Sequence, residues 1–133
     1  MKTIFDTTEV HPDYLARLRT SMRRAIGDAK IREQTKVAKG GRSAAVTITL
    51  DQVMTKLKAD NYCCALTGLE FWTDDADRYG PTMPSLDRID PDGDYSDGNI
   101  RVVLYGVNGL RGRGSDADMY RIAAALIHRE RRR

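Results

Sequence analysis

The run Pro91 to Gly98, PDGDYSDG, constrains this chain more than any other segment. Pro, Gly, Asp and Ser either preset turn dihedrals or hydrogen-bond their own backbone, so no helix or strand continues through such a run. On either side lie Ser85 to Ile89 and Asn99 to Leu104, two short stretches of β-prone composition. The sequence therefore predicts two strands joined by a tight acidic loop. Tyr105 to Arg111, immediately beyond, reads as a short helix, and the remaining elements have to pack around this unit.

With 133 residues and 41% apolar content, the chain suits one compact domain with a modest core, since single domains typically run to about 100–150 residues. His11-Pro12-Asp13 opens a first helix, with Pro where its missing N–H costs little. Leu15, Leu18, Met22, Ala25, Ile26 and Ala29 recur at spacings of three and four, while Arg17, Arg19, Arg23, Arg24 and Lys30 fall largely off that stripe. The helix is thus basic and amphipathic, and weakened near Gly27. Lys36 to Ser43 has turn composition and is expected to form a basic loop. Val46-Thr47-Ile48 has β character, and Thr49 with Gln52 fits a capping box for a helix from Leu50 to Ala59 that buries Val53, Met54 and Leu57. Thr67-Gly68 marks a turn. Glu70 to Pro84 reads as a long polar loop whose Phe71-Trp72 pair is local core rather than a base-stacking platform. Ser115 with Asp118 caps a last helix with an apolar face of Met119, Ile122, Ala123, Leu126 and Ile127, followed by the basic tail Arg129 to Arg133.

The net charge of +3 is unevenly divided: residues 1–45 carry +5, residues 46–100 carry −7 and residues 101–133 carry +5. Basic flanks suit a phosphate backbone and clustered carboxylates suit a hard cation, although solvated charged faces produce the same division. Apolar runs such as Ile122 to Ile127 fall far short of the ~20 residues that cross a bilayer, and MKTIFDTTEV has no apolar signal core. A cytoplasmic protein with no membrane partner is expected. Cys63 and Cys64 are adjacent, so a bridge between them is strained and four zinc ligands cannot be assembled; no structural zinc is expected.

Strand, loop, strand and helix can bring Asp87, on the first strand, close to Asn108, on the helix. A carboxylate and an amide oxygen suit Mg²⁺ or Mn²⁺, with waters and phosphate oxygens completing the octahedron. Cys64-Ala-Leu-Thr-Gly68, Ser85-Leu-Asp-Arg-Ile-Asp90, Gly93, Tyr95, Gly98-Asn99-Ile100, Val103 and Asn108 resemble the HNH, or His-Me finger, endonucleases common in bacteriophages, over residues 12–128. The resemblance implies an α+β fold, a ββα-metal finger with flanking helices, in one domain. It would comprise a basic helical extension (1–45), a finger core (46–114, with the ββα motif at 85–113) and a C-terminal helix and tail (115–133). It also implies that Asp87 and Asn108 are metal ligands and that Asn99 steadies the loop.

The family's histidine, which follows the aspartate and serves as general base, has no counterpart: Arg88 stands there, and His11 and His128 lie outside the finger. A guanidinium has no acceptor, so Arg88 cannot be the base, but it can clamp a phosphate and stabilise transition-state charge. Asp90 occupies the place of the histidine in the related DRGH motif and is the candidate substitute base, weak unless its environment raises its pKa. Asp92, Asp94 and Asp97 read as turn caps. Arg101, Arg111 and Arg113, with the first helix and the tail, are the expected DNA contacts. Two functions follow from these residues. One is a metal-dependent DNA endonuclease or nickase that hydrolyses phosphodiester bonds in a bacterial or phage-infected cell. The other is a degenerate finger that binds DNA, or a host protein, without cutting.

Overall fold

The computed structural model describes residues 10–72 and 79–133, so the first nine residues and part of the loop expected from Glu70 to Pro84 lie outside the described residues. Helix α1 spans Pro12–Ala38, with the His11 imidazole accepting the Asp13 N–H at 3.1 Å. It runs through Gly27 unbroken and takes in the start of the expected basic loop. Its buried stripe of Leu18, Met22, Ile26, Ala29 and Glu33 continues past Gly27, and that burial outweighs a glycine penalty of about 1 kcal/mol. The helix stops where the N–H groups of Lys39, Gly40 and Gly41 turn back onto the carbonyls of Thr35, Val37 and Lys36, with Gly40 at φ 80°. Buried Glu33 then accepts the Ala44 N–H at 2.9 Å and an ion pair from Lys36 at 2.6 Å, which ties the following segment to the helix.

Helix α2, Leu50–Ala59, carries both halves of the capping box: Gln52 N–H to Thr49 Oγ1 at 3.2 Å and Thr49 N–H to Gln52 Oε1 at 3.0 Å. Val53 and Leu57 are fully buried. Strands β1, Pro84–Arg88, and β2, Ile100–Leu104, pair antiparallel with Asp87 opposite Arg101, and a single 3-10 turn, Asp97–Asn99, leads into β2. Val46-Thr47-Ile48 does not join this sheet. It makes one isolated parallel bridge, Val46 to Tyr95, because only Tyr95 of the acidic loop presents backbone groups to it. The Tyr95 carbonyl accepts the N–H groups of Thr47 and Ile48, and the Tyr95 N–H donates to Ala45.

The core joins the stripe of α1, Val53 and Leu57 of α2, and Ile100, Val102, Val103 and Leu104 of β2 with Ile48, Tyr62, Cys64, Phe71 and Tyr95. The turn from Cys64 to Gly68 lies against β2: Ala65 N–H donates to Val102 at 3.0 Å and Cys64 Sγ accepts the Leu104 N–H at 3.4 Å. Phe71 is buried as expected, whereas Trp72 is 57% exposed. Tyr14 fastens α1 to this region by donating to the Tyr62 carbonyl at 2.9 Å and accepting the Phe71 N–H at 3.0 Å, and burial pushes its hydroxyl up to about 12.

Helix α3, Tyr105–Arg111, follows β2 directly, and α4, Asp116–Arg131, begins at the Ser115–Asp118 capping box. The expected apolar face of α4 is not buried. Met119 is covered, but Ile122, Leu126 and Ile127 are 42%, 60% and 54% exposed, because α4 packs chiefly on α3 near its own start and then projects past the core. The arrangement is α+β: four α-helices and one two-stranded sheet among the described residues. No helix among them is long and apolar enough to cross a membrane.

Candidate functional site

The acidic loop is held by Asn99. Its amide donates to the carbonyls of Asp90 at 3.0 Å and Asp94 at 2.9 Å, and its oxygen accepts the Asp90 N–H at 2.8 Å, so one side chain pins both ends of the turn. Gly93 sits against that amide, where an added Cβ would come within 2.7 Å of Asn99 Nδ2. Exposed Asp90 accepts the Asp92 N–H at 3.0 Å, an arrangement in which it caps the turn.

Asp87 is 2% exposed, and both of its oxygens are engaged by arginine. Arg101 Nε, from the facing strand, donates to Oδ2 at 2.6 Å, and Arg111 Nη1, from α3, donates to Oδ1 at 2.5 Å. Arg111 is itself buried, and it also donates to the carbonyls of Arg88 at 2.9 Å and Ile89 at 2.6 Å. Asp116, at the start of α4, accepts two bonds from Arg101 at 2.9 and 2.7 Å and lies 3.2 Å from Arg111 Nε. The Arg101 hydrogen bonds, outweighing the opposing effect of burial, hold the Asp116 carboxyl below the usual range, and the same bonds push the Arg101 guanidinium up. Two aspartates and two arginines thus form a closed knot across β1, β2, α3 and α4. Arg101 and Arg111, expected as DNA contacts, are both turned inward, because a buried carboxylate has to be neutralised by its neighbours.

Asn108 donates through Nδ2 to Ser85 Oγ at 2.8 Å and the Leu86 carbonyl at 3.3 Å, which anchors α3 to β1. Asp87 and Asn108 both line one cavity, but they do not fit a divalent ion as arranged. Each Asp87 oxygen already faces a guanidinium, and the Asn108 amide nitrogen is engaged with Ser85 and Leu86.

The cavity itself, about 370 Å³, opens between α1 and the hairpin. Five arginines line it, Arg24, Arg32, Arg88, Arg111 and Arg113, against two aspartates, Asp28 and Asp87. Arg88 is half-buried and oriented from two sides: its guanidinium lies 4.6 Å over the Tyr95 ring and Nη1 donates to the Gly93 carbonyl at 3.1 Å. A cation held over an aromatic face keeps its in-plane donors available for a planar bidentate contact. Arg32 approaches the Tyr95 hydroxyl at 3.4 Å, and Arg113 makes an exposed pair with Asp92 at 2.9 Å. Sequence reasoning singled out Arg88 and Arg113, and Tyr95 as one residue of the resemblance, but missed Arg32, Tyr105 and Asp116 as parts of this region. For the contact of Asp87 with Arg101 a signal existed, since pairing the two predicted strands sets them opposite each other; for Asp116 there was none. Comparison with protein-family models, with curated proteins and with solved structures finds no match.

Proposed function

We propose that this chain is a ββα-finger protein of the HNH kind that binds nucleic acid through Arg88 and the surrounding arginines, without hydrolysing it. The observation that carries this reading is that the buried acid of the cavity, Asp87, is neutralised on both oxygens from within. What remains is a lining with an excess of positive charge and an oriented guanidinium, which suits a phosphate. The finger of a hydrolytic relative needs an acid open to a metal and a base; here the acid is closed, Arg88 has no acceptor, and Asp90 caps a turn.

Two measurements test the proposal. Anisotropy with a labelled oligonucleotide should show affinity falling steeply between about 50 and 200 mM salt. Arg88→Ala should weaken binding roughly ten- to a hundredfold, the effect of losing a hydrogen bond to a charged group worth about 1.5–3 kcal/mol. Supercoiled plasmid incubated with Mg²⁺, Mn²⁺ or EDTA should stay intact. Metal-dependent nicking that disappears in Asp87→Ala would overturn the non-hydrolytic part and restore the endonuclease reading, in which Asp87 has to leave both arginines.

A further inference from the structure

The volume of the cavity limits what it can admit. At about 370 Å³ it lies near the lower end of small-ligand pockets, which run to ~300–1,000 Å³. One nucleotide is of that size, whereas a base pair with its two backbones is not. A duplex can lie only across the mouth.

The lining also joins two chemistries. Besides the arginines, Tyr79 and Tyr105 border the cavity, 66% and 43% exposed, with ring centroids 6.1 Å apart and planes inclined by 54°. A site for phosphate alone has no use for exposed aromatic rings, and rings so inclined do not cover each other face to face. Tyr105 is also fixed at its backbone. Its N–H donates to the Met83 carbonyl at 2.7 Å, the next N–H donates to Pro81 at 2.8 Å, and Gly106 packs so closely on Pro81 that an added Cβ would meet it at 3.1 Å. A ring on a fixed backbone loses little freedom when a ligand settles on it.

We infer that the cavity takes one unpaired nucleotide of a single-stranded nucleic acid, with its phosphate at Arg88 and its base against Tyr105 and Tyr79. This rests on the nucleic-acid reading above and deepens it by naming the strandedness of the ligand. Stacking on an aromatic ring tolerates every base, so little base preference is expected.

The test is fluorescence anisotropy of the full chain with three labelled probes of about a dozen nucleotides, within the range that single-strand sites cover: an oligothymidine, an oligouridine and a blunt DNA duplex. At least one single strand should bind about tenfold tighter than the duplex, and the tighter of the two identifies the preferred sugar. Tyr105→Ala should weaken single-strand binding by about five- to a hundredfold, the range seen on removing one stacking partner. Duplex binding should stay within about twofold, and Tyr105→Phe should bind as the wild type does. Unchanged thermal melting of both variants would show that the fold is intact, and Tyr79→Ala gives an independent reading if Tyr105→Ala melts early. Equal affinity for duplex and single strand, or equal weakening of both by Tyr105→Ala, overturns the inference while leaving nucleic-acid binding in place. A wild type that binds none of the probes overturns the nucleic-acid reading itself, and an Arg88→Ala variant that binds all of them unchanged overturns the placement of the phosphate at Arg88.

Discussion

Replacing Asp87 by Asn separates a structural acid from a metal ligand. The substitution keeps the shape and removes the charge that neutralises Arg101 and Arg111, one half-buried and the other 5% exposed. Removing one partner of a buried ion pair costs about 3–5 kcal/mol, because the other charge is left uncompensated. Here Arg101 keeps both bonds to Asp116, and Arg111 keeps the carbonyls of Arg88 and Ile89, so the lower end of that range applies. A loss of about 3 kcal/mol is a large share of the ~5–15 kcal/mol that holds a domain folded, and at roughly 3–5 °C per kcal/mol it lowers Tm by about 10–15 °C. Thermal and urea melts followed by circular dichroism near neutral pH would measure it. An aspartate waiting for a dication behaves in the opposite way: its removal leaves stability alone or raises it, and added Mg²⁺ stabilises the wild type only. A Tm for Asp87→Asn within about 3 °C of wild type, or stabilisation by Mg²⁺ that the variant loses, refutes the reasoning.

The knot also makes stability depend on acid. Asp116 has a depressed pKa in the folded chain, from its Arg101 bonds, and an ordinary one when unfolded. Its contribution is therefore complete above about pH 4 and is lost as pH falls through the folded value; urea midpoints of Asp116→Asn should fall less than those of wild type across that window. Gly93→Ala should displace the Asn99 amide from its two carbonyls and destabilise by about 1–3 kcal/mol, read from the same melts. Arg113→Ala should change Tm by very little, since its pair with Asp92 is about 80% exposed on both sides. It should instead weaken oligonucleotide binding and reduce the slope of log affinity against log salt by about one if Arg113 meets a phosphate.

Local signals carried the fold a long way. Pro12, the Thr49–Gln52 and Ser115–Asp118 boxes and the turn residues from Pro91 to Gly98 act within a few positions of themselves, and each marks the end of an element close to where it occurs. What escaped depends on partners distant in the chain. The periodicity of Ile122, Leu126 and Ile127 implies a buried face only if something lies opposite, and nothing described does. Val46 to Ile48 has β composition, but its neighbour is a single loop residue, Tyr95, rather than a strand. The site was legible only in part. The loop-steadying role of Asn99 came from the family resemblance, whereas the roles of Arg101 and Arg111 turn on the burial of Asp87, which composition does not report.

The four-residue knot of Asp87, Arg101, Asp116 and Arg111 has a further consequence for how this part of the molecule is cross-linked. In many small folds a bound ion draws several segments to one point, and the folded state then depends on the supply of that ion and fails under a chelator. Here two carboxylates and two guanidiniums join β1, β2, α3 and the start of α4. Such a clasp travels with the chain: it needs nothing from the surrounding medium except a pH at which Asp116 stays ionised. Its solvent-facing half, where Asp116 is 38% exposed, is open to screening by salt, while the half at Asp87 is shielded. High salt and mild acid should therefore loosen the α4 end first, letting the last helix swing while the hairpin beneath it holds its register.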